Sequence, residues 1–238
     1  MRSGLIGRRA VVAGSAVLLC APALARGGAA AAKADVLALA RRLVGRGDPD
    51  GSLQRRLDPL VARLLEAAPQ PPVRERLGLL AGAWRQVWGP YDYRRPESRG
   101  VDPRTDPDHI FQVVAPGGHY WNVAPRDVRE GGSPRRIVLL RGVWRVAPEA
   151  RDVLAVRFTR LVRARTEAPL SQIWRLAPMA EARAPGFVPV LPGVVVRTFF
   201  PGGGLREAYT DRTLRIAYGA YSVTDRRREF AYVMERAG

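Results

Sequence analysis

The chain has 238 residues, with 39 Lys and Arg against 22 Asp and Glu, a formal charge of +17 and 47% apolar residues spread along its length. That length allows one large or two small domains with a sizeable core, and the apolar content excludes a disordered chain. Lys33 is the sole lysine, so arginine carries the charge, which implies attraction to polyanions such as nucleic acid, anionic lipid heads or acidic glycans.

At the start of the chain, Arg2, Arg8 and Arg9 form a basic region, Ala10 to Leu19 an apolar one, and Ala23-Leu24-Ala25 a small-residue cleavage site. The pattern predicts a cleaved export signal over residues 1–25, with Arg26 as the mature N-terminus and a mature charge of +14. Gly14, Ser15 and Pro22 interrupt the apolar run, which falls short of the about 20 residues a bilayer span needs. Gly7-Arg8-Arg9-Ala10-Val11-Val12 resembles a twin-arginine signal, without its usual Ser before and Phe after the pair; general secretion is the other route. The expected location is the periplasm or envelope, with no nucleic-acid partner. There the charge faces either solvent or an anionic membrane surface. Cys20 falls within the signal, so the mature chain has no disulfide, thiolate nucleophile or Cys-ligated metal, and Leu19 stands where a lipobox needs a small residue.

Residues 26–33, with the Gly/Ala run Gly27 to Ala32, read as a flexible tether. A helical region follows over 34–80. Val36, Leu39, Ala40 and Leu43 recur at helical spacing, Gly45 to Gly51 is a break, and Leu57, Leu60, Val61, Leu64 and Leu65 resume the period. Asp58-Pro59 predicts an N-cap and first helical residue there. Pro69-Gln70-Pro71-Pro72 ends the helix, and a short helix over Val73 to Leu80 follows.

From residue 81 to 238 the chain reads as a single antiparallel β domain. The predicted strands are Ala83 to Trp88, His109 to Val114, His119 to Ala124, Ile137 to Val146, Val153 to Leu161, Leu170 to Leu176, Val194 to Phe200, Leu205 to Thr210, Leu214 to Tyr218 and Phe230 to Arg236. Their spacing leaves no room for crossover helices and predicts a sandwich or barrel. Tyr93 to Pro107 reads as a mobile loop, and Gly202-Gly203-Gly204 as a hairpin turn. An eight-stranded barrel can hold one small ligand. Trp84, Trp88, Trp121, Trp144, Trp174, Phe111, Phe158, Tyr209 and Tyr218 are the large side chains available to line it, with core packing as their default role.

No nucleophile elbow, zinc helix motif, P-loop or dinucleotide fingerprint is present. His109 and His119 are the only histidines; a metal site with Asp106 and Asp108, or a hydrolase built on them, is the minor reading, and no cofactor or metal is expected.

Several blocks resemble the plastid lipid-associated protein (fibrillin) family. Gly45-Arg46-Gly47, Leu64-Leu65-Glu66 before a Pro cluster, and Leu79 to Trp88 with its Gly82-Ala83-Trp84 resemble that family's opening. Ile110 to Val114 with Asn122-Val123-Ala124 resembles its middle strand pair, and Tyr209 to Ile216 with Phe230 to Val233 its closing block. Thr210 stands where the family often has Leu, and Ser133 to Phe200 matches poorly. The resemblance implies a mainly β fold, a lipocalin-like antiparallel barrel preceded by a short helical region (α+β overall), that associates with a lipid or hydrophobic small molecule without catalysis. The ligand-lining residues so expected are Trp88, Phe111, Trp121, Trp144, Phe158, Tyr209 and Tyr218. Gly82 and Trp84 are expected to close one end, with Arg215 over the indole and Asp211 capping the turn before Arg215. A small-barrel hydrolase or isomerase with a carboxylate/histidine site is the alternative, and a partner-binding module a third reading.

Overall fold

The computed structural model describes residues 21–89, 106–126, 135–148, 150–179, 188–189, 203–220 and 229–238. Met1 to Cys20, most of the expected loop from Tyr93, and the strand expected over Val194 to Phe200 lie outside the described residues.

Two helices open the fold, α1 (Ala21–Arg42) and α2 (Ser52–Ala67). Helix α1 runs through Gly27 to Ala32, where a tether was expected, because alanine is the best helix former and four consecutive alanines outweigh two glycines. Ala32, Val36, Leu39, Ala40 and Leu43, the last just past its end, form its buried stripe. Helix α2 starts well before Asp58. The Asp48 carboxylate accepts from the backbone N–H groups of Leu53 (2.9 Å) and Gln54 (2.8 Å), satisfying first-turn donors that would otherwise lack partners. Pro59 therefore lies inside the helix rather than at its start. It occupies the exposed face, where water can reach the Arg55 carbonyl it leaves unbonded, while Leu57, Val61 and Leu64 hold the helix down on either side.

After the Pro cluster, a 3-10 turn (Val73–Arg76) and α3 (Leu77–Leu80) lead into the sheet. The strands are β1 (Gly82–Trp88), β2 (Phe111–Val114), β3 (His119–Arg126), β4 (Arg135–Val146), β5 (Val153–Thr166), β6 (Val188–Pro189), β7 (Gly203–Thr210), β8 (Leu214–Ala220) and β9 (Phe230–Arg236). Every pairing is antiparallel. Each long strand pairs with its sequence neighbour, β5 passes to β7, and β9 returns to β1, so eight strands close on themselves and leave no free edge. The short β6 pairs with β5 beyond the β7 contact, at Ala164 and Arg165. The fold is a closed eight-stranded antiparallel barrel, mainly β, with a few helices.

Two expectations change in the middle of the chain. Leu170–Arg175 is a 3-10 helix continuing into α4 (Leu176–Met179), not a strand; it buries Ile173 and Ala177, four residues apart, against the outside of the sheet. Gly203 and Gly204 belong to β7, pairing with Val156 and Ala155, rather than to a turn. Among the described residues no helix is long and apolar enough to cross a membrane.

Period-two alternation sorts the barrel side chains. One face of β1, β7, β8 and β9 packs under α1 and α2: Val87, Trp88, Tyr209, Leu214, Ile216, Tyr218 and Val233 meet Val36, Leu39, Leu43, Leu57, Val61 and Leu64. The outer face of β2 to β5 packs under the 170–179 segment. Burying each large aliphatic or aromatic side chain in these layers contributes about 1.5–3 kcal/mol. The opposite face of every strand points into the lumen.

Candidate functional site: the barrel lumen and its two ends

One end of the barrel is joined by short turns at 115–118, 147–152 and 211–213, and the chain enters there through Val73 to Ala81. Val73 and Leu80 enter the lumen cluster with Trp84, Val114, Tyr120 and Leu154. The Trp84 indole donates to the Leu80 carbonyl at 2.8 Å and is fully buried. The arginine over its ring is Arg236, whose guanidinium carbon lies 4.0 Å from the centroid and whose nitrogens donate to the Ala81 (2.7 Å) and Leu79 (2.6 Å) carbonyls. Gly82 has φ 131°, and a Cβ there would stand 2.2 Å from Arg236 Nη1, so the glycine makes space for that guanidinium.

The expectation that Arg215 covers the indole is therefore corrected to Arg236. The two arginines face the lumen from neighbouring strands, and Arg215 is drawn instead to Glu207. It donates through Nε (2.9 Å) and Nη2 (2.5 Å) to that carboxylate and through Nη1 to Gln112 Oε1 (3.1 Å). Both members of this ion pair have 0% side-chain exposure. Arg76 adds bonds to Thr210 Oγ1 (3.1 Å) and to the Glu207 carbonyl; burial lowers its pKa while Glu207 and Asp152 oppose the shift. Asp211 caps its turn, accepting from the Thr213 and Leu214 backbones at 2.7 Å, from Tyr209 Oη at 2.9 Å and from Lys33 Nζ at 2.6 Å. Burial alone would raise its pKa, but these hydrogen bonds outweigh it and hold the carboxyl at about 2.

Further along the lumen the walls are apolar with a few amides. Trp144 and Phe158 join Tyr120, Val146, Val156, Leu205 and Tyr232. Among them stand Gln86, Gln112 and Asn122, all at most 6% exposed. Tyr120 Oη donates to Asn122 Oδ1 at 3.1 Å. Neither end of the Gln86 carboxamide has a hydrogen-bond partner among the described residues, and neither has Asn122 Nδ2. An unpaired buried polar group costs about 1–3 kcal/mol.

Of the aromatic residues expected to line the lumen, Trp144 and Phe158 do so. Trp88, Tyr209 and Tyr218 lie outside the wall beneath α1 and α2, where Trp88 donates to the Arg46 carbonyl (3.1 Å) and Tyr218 to Asp58 (2.8 Å). Phe111 and Trp121 lie outside the wall beneath the 170–179 segment, to which Trp174 itself belongs. Size and aromaticity do not fix which face a residue takes; its parity along the strand does. The sequence signal for the lumen amides is parity alone: Gln86 stands two residues from Trp84 and Gln112 two from Val114.

His109 bonds Asp106 (2.8 Å) and His119 contacts Arg141 (3.4 Å). Phe111 pairs with Val123, which puts His109 near the level of Pro125, roughly 20 Å along the sheet from His119. The two histidines do not converge on one site, and no group of metal-ligating side chains occurs among the described residues.

No protein-family model matches the chain, and neither does any curated protein or solved structure. The resemblance to the fibrillin family thus gains no support from comparison, and the functional reading rests on the lumen.

Proposed function

We propose that the protein is an exported, lipocalin-like, non-catalytic barrel that binds or shields one lipid or hydrophobic small molecule bearing a hydrogen-bonding group, in the manner the fibrillin resemblance implies. The observation that carries the reading is the Gln86 carboxamide, 1% exposed and unpartnered at both ends among the described residues, on β1 beside Met234 in a lumen whose other strands contribute Trp144, Phe158, Val156 and Leu205. A buried donor and acceptor left unpaired in a folded protein is a cost that a bound polar group removes, while the surrounding side chains accept an apolar body. Export is consistent with α1, since cleavage after Ala25 leaves in place the buried stripe that runs from Ala32 to Leu43.

The test is organic extraction of the natively purified protein followed by mass spectrometry. A compound of near-unit stoichiometry, recovered from wild type and reduced at least fivefold in Gln86→Leu, is the expected result. Recovery of no compound from protein that is folded by circular dichroism, together with a Gln86→Leu variant that is merely more stable, overturns it.

A further inference from the structure

The inward residues of the barrel are sorted by strand. Trp84 pairs with Gln112 and Gln112 with Asn122, so the plug indole and two carboxamides stand abreast on β1, β2 and β3. Gln86 follows Trp84 by two residues on the same inward face, beside Met234. Neighbouring strands are about 4.8 Å apart, so the Cα atoms of Gln86, Gln112 and Asn122 lie within about 12 Å of one another, in a band adjoining the plug. All three side chains are buried. Gln112 Oε1 accepts from Arg215 and Asn122 Oδ1 from Tyr120 Oη, whereas Gln86 Oε1, Gln86 Nε2 and Asn122 Nδ2 have no partner among the described residues.

The wall across the lumen differs. In the closed ring β5 lies four strands from β1 in either direction, so β4 and β5 face the amide band. They turn apolar groups inward: Leu140 and Val138 follow Trp144 by even steps, Leu161 pairs with Leu140, and Phe158 pairs with Gly142. Val138, Leu140, Phe158 and Leu161 are only half-buried. An inward side chain of a closed barrel keeps exposure only where the lumen is open, so an apolar path runs along β4 and β5 from the far end towards the amides.

We infer that the lumen takes an uncharged amphiphile whose head presents an N–H or O–H donor beside a carbonyl to Gln86 and Asn122, and whose chain lies along Leu140, Leu161 and Val138. This rests on the lumen-binding reading and names its ligand class. A carboxamide offers a donor at one end and an acceptor at the other whichever way round it is turned, so only a head with both kinds of group satisfies Gln86. A primary amide or a hydroxy ester has both. A carboxylate or a simple ester has no donor, and a carboxylate also sets its charge against Gln86 Oε1. The guanidinium groups of the plug are already engaged, Arg215 by Glu207 and Gln112 and Arg236 by the Leu79 and Ala81 carbonyls, which leaves the amides to choose the head.

The experiment titrates the purified protein, by tryptophan fluorescence at about pH 8, with three probes of one chain length: decanamide, which has donor and acceptor; N,N-dimethyldecanamide, which has the acceptor alone; and decanoate, which is ionised there. Wild type binds decanamide about tenfold or more tighter than either of the others. Gln86→Leu removes that preference, because the ligand's N–H then has no acceptor. Asn122→Leu weakens decanamide and the dimethyl amide alike and leaves the preference between them in place. Leu140→Ser/Leu161→Ser weakens all three by roughly 3- to 10-fold. Gln86→Leu deletes an unpaired buried amide, so its melting temperature is at or above wild type, which separates lost binding from lost folding. If decanoate or the dimethyl amide binds wild type as tightly as decanamide, this inference falls and the lumen reading stands. A preference that survives in Gln86→Leu reflects the bulk of the two methyl groups and also overturns it. If no probe binds folded wild type, the lumen reading and this inference fall together.

Discussion

The two ends of this barrel hold their inward arginines in different settings. At the plugged end the turns are short, Trp84 and Leu80 fill the lumen, and every arginine that turns inward has carbonyl or carboxylate partners: Arg236 on Ala81 and Leu79, Arg76 on Glu207 and Thr210, Arg215 on Glu207. At the far end the connections are the long ones, 89–110, 127–134, 167–202 and 221–229, and Arg126, Arg136 and Arg165 stand abreast on adjacent strands, the last two of them exposed. Substitutions of the buried arginines at the first end should move stability far more than those of the exposed arginines at the second.

The largest effect is expected at the buried ion pair. Glu207→Gln leaves the Arg215 guanidinium charged at 0% exposure with its counter-charge removed, which should cost about 3–5 kcal/mol, read as a drop in the urea midpoint. Replacing both partners together, Glu207→Leu with Arg215→Met, should recover most of that loss, because two apolar groups of similar volume need no desolvation. A single variant that unfolds at the wild-type midpoint would mean that the pair is not the keystone of the plugged end. Arg136→Gln at the other end should shift the midpoint by less than about 0.5 kcal/mol, as exposed substitutions do.

A smaller effect, about 1–3 kcal/mol, is expected for Gly82→Ala, which combines a φ of 131° with a Cβ placed 2.2 Å from Arg236 Nη1. The two causes separate in an Arg236→Ala background, where the clash is gone and only the backbone strain remains. An identical cost in both backgrounds would show that Gly82 serves the backbone alone and that Arg236 is not what it accommodates.

What could be read from the sequence follows from which physical signals are local. Turn residues and runs of β-branched and aromatic side chains locate β1 to β4 and β7 to β9 to within a few residues and the first two thirds of β5, while the 3.6 period finds the buried stripes of α1 and α2 but not where either helix starts. Leu170 to Leu176 misled because a short apolar run suits a strand or a helix equally. The faces were harder. A half-solvated sheet alternates apolar with polar, but here α1, α2 and the 170–179 segment cover much of the outside, so Phe111 to Val114 is buried on both sides and shows no alternation. Inside and outside then depend on tertiary partners, which is why Tyr209 and Tyr218 were read as lining and Gln86 was not. The Gly-x-Trp closure was legible as a motif, but its arginine was assigned to Arg215 because β8 and β9 both carry a lumen-facing arginine near the same end.

The smallest predicted effect concerns pH and again separates the two ends. Asp211 has a carboxyl held at about 2 against an ordinary 3.8, because the hydrogen bonds from Lys33, Thr213, Leu214 and Tyr209 outweigh the burial that would raise it. A carboxyl whose pKa is depressed by folding stabilises the fold in full above its unfolded value and loses that contribution as the pH falls through the folded one. The window is therefore from about pH 4 down to about pH 2. With the side chain 32% exposed, solvent screening reduces the contribution to about 1 kcal/mol. Asp211→Asn should then be about 1 kcal/mol less stable than wild type at neutral pH and converge on it near pH 2, measured as the difference in urea midpoints across that range. Arg136→Gln measured alongside should differ from wild type by a constant amount over the same range, because a guanidinium does not titrate there. Parallel curves for Asp211→Asn would remove the carboxylate from the account of the plugged end and leave the turn held by backbone geometry alone.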